Sequence, residues 1–194
     1  MNKAILALAV LVLIPAAVPP AGEPEAIFAP TEGDRLIEKR ISREIRGARK
    51  SVVVAIYQFT SKEIADALAA AKRRGVDVRV LVDTVQAGNG GLFADVLKLL
   101  SSAGVPIRKV YPEGVRFRRT NPKKNEGMRP KFHHKFCVVD GERVITGSYN
   151  WTVLADEENH ENIVILPDPR IAARFSEQFD KVWKDEAITE PYQE

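Results

Sequence analysis

The chain has 194 residues, 45% hydrophobic and 28% charged, the balance of a soluble globular protein long enough to bury its own core. Its single cysteine, Cys137, excludes an intramolecular disulfide framework and a Cys-rich zinc site. The formal charge is only +3, yet residues 108–135 hold ten Lys or Arg against Glu113 and Glu126, so a strongly basic segment sits in an otherwise acidic chain.

Residues 1–22 read as an export signal: Lys3 supplies positive charge, Ala4 to Ile14 are uninterrupted apolar residues, and Pro15 to Gly22 break the pattern. The apolar core is shorter than the roughly 20 residues of a bilayer span. Prolines at 15, 19 and 20 spoil a clean cleavage site, so two outcomes stay open. Either the protein is released to the periplasm or the outside, or an uncleaved segment tethers it to the membrane. A linker over 23–33 leads to one domain over 34–188 and a short tail over 189–194.

Within that domain the pattern alternates. The spacing of Leu36, Ile37, Ile41 and Ile45 predicts a helix over 34–49, followed by a β-branched strand over 51–59. Thr60 and Glu63 suggest a capping box for a helix over 62–74 that ends at Gly75. A strand over 76–83, a helix over 92–102 and a short strand over 106–111 follow. The basic stretch from Val115 to Phe132 reads as a long surface loop. Beyond it come a hairpin, an acidic loop, a strand over 162–166 and a helix from Pro169 to about Glu186. Apolar strands separated by helices imply an α/β fold: a mixed, mostly parallel sheet with helices on both faces, in one lobe.

The hairpin concentrates the chemistry. Asp140-Gly141 is a two-residue turn signal between Phe136–Val139 and Arg143–Ile145. That turn would set His133 opposite Ser148, Lys135 opposite Thr146 and Cys137 opposite Val144. Side-chain alternation then projects His133, Lys135, Ser148 and Asn150 from one face, at the end away from the turn. An imidazole, an ammonium, a hydroxyl and a carboxamide together suit an anionic ester, combining a nucleophile, a fixed charge and neutral donors. Asp140, seven strand residues away at about 3.3 Å each, is roughly 23 Å from His133 and is expected to hold the turn or a nearby basic side chain.

The spacing His133-x-Lys135-x4-Asp140, followed by Gly147-Ser148-x-Asn150, resembles the HxKxxxxD and GSxN signature of the phospholipase D superfamily. Ile56 to Asp83 is similar to the strand–helix–strand that opens its small single-motif bacterial endonucleases, and Glu158 to Asn162 to their acidic segment. The resemblance spans roughly residues 35–185 and implies the phospholipase D fold and a phosphodiesterase that needs no metal or other cofactor. It implies a covalent phosphohistidine on His133, phosphate binding by Lys135 and Asn150, support from Ser148, and Glu161 orienting a histidine. Asp140 and Gly147 are structural members of the motif. Because such enzymes use two motifs and this chain has one, the resemblance implies a homodimer with the site on its two-fold axis.

The neighbouring residues have plainer readings. Alternation turns His134 to the opposite face beside Phe136 and Val138, away from any metal role. Cys137 is expected to be buried and inert, Trp183 to be core, Tyr149 and Trp151 to pack, and His160 to be solvated. Arg116, Arg118, Arg119, Lys123, Lys124, Arg129 and Lys131, interleaved with Tyr111, Phe117 and Phe132, form a candidate track for a nucleic-acid backbone leading to His133. Three functions compete. One is an exported endonuclease that cleaves DNA and also RNA, favouring single strands. Another is a phospholipase acting on lipid headgroups, against which stands the lack of an obvious apolar docking loop. The last is an inactive nucleic-acid-binding module.

Overall fold

Among the described residues, eight strands form one sheet, in the spatial order β1 (Glu25–Ala29), β7 (Glu161–Leu166), β6 (Arg143–Gly147), β5 (Lys135–Val139), β2 (Ser51–Ile56), β3 (Asp77–Asp83), β4 (Ile107–Val110) and β8 (Thr189–Pro191). The computed structural model describes residues 22–33, 35–111 and 130–193. Residues 1–21 of the segment read as an export signal, and Arg116, Phe117, Arg118, Arg119, Lys123, Lys124 and Arg129 of the basic stretch, lie outside the described residues.

The centre of the sheet comes from the most β-branched part of the sequence. Strand β2 (Ser51–Ile56) is buried on both faces and pairs in parallel with β3 (Asp77–Asp83), which pairs in parallel with β4 (Ile107–Val110). Each of those crossovers is right for a helix: α2 (Lys62–Arg73) links β2 to β3, and α4 (Gly91–Ser102) precedes β4. The expected sheet was mostly parallel; in fact five of the seven pairings are antiparallel. The reason lies in the connections. A tight turn joins β5 (Lys135–Val139) to β6 (Arg143–Gly147), and β7 (Glu161–Leu166) follows after only a short helix, α5 (Val153–Glu157), so helical crossovers between neighbouring strands are confined to β2-β3-β4.

Two edge strands occupy segments expected to be linker and tail. β1 (Glu25–Ala29) pairs with β7, and β8 (Thr189–Pro191) with β4. Both are short, and one carries Pro191 where no ladder donor is required.

On one face, α1 (Leu36–Gly47), α2 and α4 bury Ile37, Ile41, Ile45, Ile64, Leu68, Leu97 and Leu100 against Val52, Val54, Ile56 and Val80. On the other, α6 (Pro169–Lys184) packs Ala172, Phe175 and Phe179 on Val53, Ala55, Phe136 and Val138. Trp183 is stacked on Phe179 at 5.5 Å and is half-buried. Truncating a fully buried residue such as Leu68 would cost about 2–5 kcal/mol.

The α2 cap sits one residue later than expected. Ser61, not Thr60, accepts the amide of Ile64 at 3.1 Å, and its hydroxyl donates to the buried Glu38. Thr60 cannot serve because the amides of Thr60 and Ser61 both donate to the Trp151 carbonyl, at 2.8 and 2.9 Å, holding the chain extended there. Glu63 instead pairs with Arg46 at 2.8 Å.

Candidate active site

Strand direction decides what gathers at each pole of the sheet. β5 runs against β2, with Ile56 beside Lys135, so the start of β5 meets the carboxyl ends of β2, β3 and β4. The end of β6 and the start of β7 lie at the same pole, with Gly147 beside Ile163. Open sheets with parallel strands commonly bind ligands at that pole.

His133 immediately precedes β5 and Lys135 is its first residue. Lys135 Nζ lies 3.3 Å from each ring nitrogen of His133 and donates to the His133 carbonyl at 3.3 Å. The two side chains therefore meet, as side-chain alternation predicts. Burial, then the charges of Lys135 and Lys131, hold the His133 pKa below its ordinary value, against a smaller upward pull from Asp83. Its imidazole is thus biased to the neutral form that carries a nucleophilic lone pair. Burial also lowers the Lys135 pKa, with Glu161 pulling it back up and Lys131 adding to the fall.

The hairpin register differs from the expected one by a residue. Cys137 faces Ile145, Val138 faces Val144 and Val139 faces Arg143. Asp140 (φ 57°) and Gly141 (φ 70°) both take left-handed backbone, and the Glu142 amide closes on the Val139 carbonyl at 3.0 Å. The ladder resumes only at Arg143, so Glu142 is an extra loop residue. Ser148 consequently leaves the β5 partnership and is held by β7. Its amide and that of Tyr149 donate to the Asn162 carbonyl at 3.1 and 3.4 Å, and its hydroxyl accepts the Asn162 amide at 3.1 Å while donating to Glu161.

Gly147 makes that arrangement possible. A Cβ there would lie 2.1 Å from the Asn162 carbonyl oxygen and 2.8 Å from Ile163 Cα, so β6 and β7 could not keep their spacing. The next residues are clamped to the end of β2: the Trp151 amide donates to the Gln58 carbonyl at 3.0 Å and its ring meets Phe59 edge-on at 5.1 Å. Asn150 lies in this clamp, half-buried, and its Oδ1 has no hydrogen-bond partner among the described residues. The structure brings together His133 with Lys135, and Ser148 with Glu161. Within the chain, Glu161 bonds Ser148 rather than orienting His133, and it acts on Lys135 through its charge.

Three residues passed over in the sequence reading also shape the site. Asp83, 1% exposed at the end of β3, accepts the amides of Val85 and Gln86 through Oδ1 and that of Phe132 through Oδ2 at 2.9 Å. It thereby caps the short helix α3 (Thr84–Gly88) and pins the backbone just before His133. Tyr57 places its ring 4.6 Å from that of His133, and Gln86 donates to the Tyr57 hydroxyl at 3.1 Å. The signal available for them was position: polar residues at or just beyond the ends of buried strands, at the carboxyl pole.

Other expectations resolve simply. His134 turns away, edge-on between Phe132 and Phe136 at 5.1 and 5.4 Å, with its pKa lowered by burial and by Lys135 and His133. Cys137 is fully buried, which pushes its thiol pKa well up. Tyr149 and Trp151 are core residues, 1% and 3% exposed. Phe132, expected along the nucleic-acid track, is buried in the α6-side core, because the Asp83 bond draws its backbone inward. Lys131 is exposed. Asp140 lies at the opposite pole, where its carboxylate accepts the amides of Arg49, Lys50 and Ser51 at 2.7–3.1 Å. It holds backbone rather than a basic side chain.

Residues 41–183 match the family described as cardiolipin synthase, PLD-like domain. The chain belongs to the phospholipase D-like family. Its solved relatives include Nuc, a phospholipase D family member from Salmonella typhimurium, to which it is 28% identical with a TM-score of 0.69, over 89% of this chain and 100% of that one. NucT from Helicobacter pylori, at 23% identity and a TM-score of 0.73 over 86% of this chain and 97% of that one, shares the fold. Among curated proteins, this phospholipase D-like chain is 34% identical to mitochondrial cardiolipin hydrolase of Xenopus laevis over 146 residues, 75% of this chain and 60% of the relative. The human protein of that name is 32% identical over 75% of this chain and 50% of the relative. The chain thus spans 50–60% of the length of these two curated relatives. One copy of the motif and full overlap with Nuc place it among the Nuc-like, single-motif members.

Proposed function

We propose that this chain is an exported, metal-independent phosphodiesterase that cleaves DNA, and RNA as well, at the interface of a homodimer. The observation that carries this reading is the contact between His133 and Lys135, an imidazole biased to be neutral beside a fixed positive charge. In the first step a His133 ring nitrogen attacks phosphorus while the P–O bond to the leaving alkoxide breaks. That oxygen takes a proton from His133 of the partner subunit. In the second step water attacks phosphorus, gives its proton to that same partner histidine, and the P–N bond returns its electron pair to His133. Lys135 neutralises charge on the non-bridging oxygens, and the Asn150 carboxamide N–H donates to one, the role that the family resemblance implies for it.

The reaction needs one neutral and one protonated imidazole, so the rate should be bell-shaped in pH, with apparent pKa values that belong to the pair. Activity on single-stranded DNA is expected to survive EDTA, to fall steeply with salt and to elute at dimer size. Complete loss in EDTA, or full activity in a monomer fraction, overturns this reading.

A second substrate, the phospholipid headgroup, is favoured by a different observation. Val85 on α3, Leu92 in the first turn of α4 and Leu154 on α5 are 47%, 67% and 59% exposed, and these segments leave the sheet at the pole of His133. The pole of His133 therefore carries exposed apolar side chains on its helices, and the curated relatives are cardiolipin hydrolases by name. Parallel assays on plasmid, single-stranded DNA, phosphatidylcholine and cardiolipin decide between the two. Cleavage of cardiolipin with none of either DNA selects the lipid.

A further inference from the structure

Tyr57 is buried, at 9% exposure, yet it belongs to neither of the two apolar clusters that make the core. Polar and charged groups meet its ring and its hydroxyl. The His133 ring sits 4.6 Å away at 53°, and the ammonium groups of Lys135 and Lys131 lie 5.3 and 5.6 Å from its ring centroid. Its hydroxyl accepts from Gln86 at 3.1 Å, and Gln86 in turn accepts from Gln58 at 3.2 Å. The backbone fixes the ring as well, since the Tyr57 amide donates to the His134 carbonyl at 2.9 Å and continues the β2–β5 pairing by one step.

Two ammonium groups and an imidazole gathered this closely repel one another once any two are charged. A phenol ring offers them a shared attraction, because the negative face of its quadrupole draws cations and does so more strongly where water is thinned. Charge at that spot serves an enzyme only if it stays where the phosphate arrives. We infer that Tyr57 is a positioning residue whose ring holds His133, Lys135 and Lys131 as one anion-receiving unit, with Gln58 and Gln86 locking the ring through its hydroxyl. This rests on the proposal that His133 attacks phosphorus. It adds that Lys131, the described end of the basic segment, serves the reacting phosphate itself rather than a distant part of the substrate.

The ring and the hydroxyl separate by substitution. Tyr57→Phe keeps the ring face and loses one neutral hydrogen bond, so kcat on bis(p-nitrophenyl) phosphate should stay within about fivefold of the parent. Tyr57→Leu removes the face, and kcat should fall by more than about tenfold, with weaker inhibition by inorganic phosphate. Equal losses in both variants, or an undiminished kcat in Tyr57→Leu, overturn the role of the ring. If Tyr57→Leu does not fold, Lys131→Met, altered only at an exposed side chain, carries the test. The charged groups bearing on His133 are Lys135, Lys131 and Asp83, so deleting the Lys131 charge should raise the acidic limb of the pH–rate profile and weaken phosphate inhibition. An unmoved limb with unchanged phosphate inhibition means that Lys131 is not held at the site. His133→Ala is run beside them. If it leaves activity intact the underlying mechanism fails, whereas its loss of activity with a fully active Tyr57→Leu defeats only the inference about Tyr57.

Discussion

At one end of the β5–β6 hairpin, Asp140 accepts bonds from three successive backbone amides, Arg49, Lys50 and Ser51. At the other, Lys135 Nζ rests 3.3 Å from both ring nitrogens of His133, and Lys135 and Lys131 share the Tyr57 ring face. The sequence signature joins these residues in one line, but the strand between them sends them to opposite poles. Burial pushes the Asp140 pKa up, and the amides of Lys50, Ser51 and Arg49 together outweigh it, so the carboxylate is stabilised in its charged form. Burial and like charge push His133 and Lys135 toward their neutral forms. The first pattern stabilises the fold; the second stores electrostatic tension where an anion could relieve it.

The largest expected effect tests the His133 end. His133→Ala should lower cleavage by at least about 1,000-fold, while the thermal midpoint stays near that of the parent, because the side chain is exposed. Intact cleavage, or a collapse in stability to match, would erase the distinction between the poles. Next comes Gly147→Ala. It leaves every polar group of the signature in place, but its methyl group would meet the Asn162 carbonyl at 2.1 Å. Prising β6 from β7 should cost about 3 kcal/mol and lower the midpoint by roughly 6 °C or more, read by thermal unfolding. A normal midpoint would show that the strands can yield.

Much of this was legible in the sequence where burial and periodicity agree. The run Ser51–Ile56, the Ile37-Ile41-Ile45 stripe and the Asp168-Pro169 helix start each carry a local signal strong enough to survive tertiary packing. β1 and β8 were not legible, because edge strands of five and three residues need only one partner and little apolar content. Nor was the register, since Asp140-Gly141 marks a turn without saying whether Glu142 joins the ladder. His133 and Lys135 could be placed together from alternation alone. Tyr57, Asp83 and Gln86 could not, because they reach the site from the ends of β2 and β3 and from α3, and only the sheet order brings them there.

The far pole predicts the mirror image of His133→Ala. Asp140→Ala should cost about 2 kcal/mol, the scale of charge-assisted bonds to backbone amides, and leave kcat per folded molecule unchanged. The pH dependence has a definite sign. Because the folded-state pKa is depressed, the stabilisation is fully present above the unfolded carboxylate value, about 3.9, and fades as pH falls through the folded value. Urea unfolding should therefore separate parent from variant at pH 7 and bring them together in strong acid. A gap of equal size at both ends of the range would mean that the lost contacts are not those of the charged carboxylate.

The smallest effect is also the finest probe of the catalytic end. Glu161 holds the Ser148 hydroxyl and is the one named influence that raises the Lys135 pKa, against burial and Lys131. Glu161→Gln keeps an acceptor for Ser148 and removes the charge. The Lys135 ammonium then loses its proton more readily, so inhibition by inorganic phosphate should weaken toward high pH, while both limbs of the pH–rate profile, which belong to the histidine pair, should stay in place. A shift of either limb would assign Glu161 to a histidine, of this subunit or the partner, as the family resemblance implies. Unmoved limbs with weakened phosphate inhibition would make it the counter-charge that keeps Lys135 protonated for the arriving phosphate. The two outcomes separate a carboxylate that tunes the nucleophile from one that tunes the anion site.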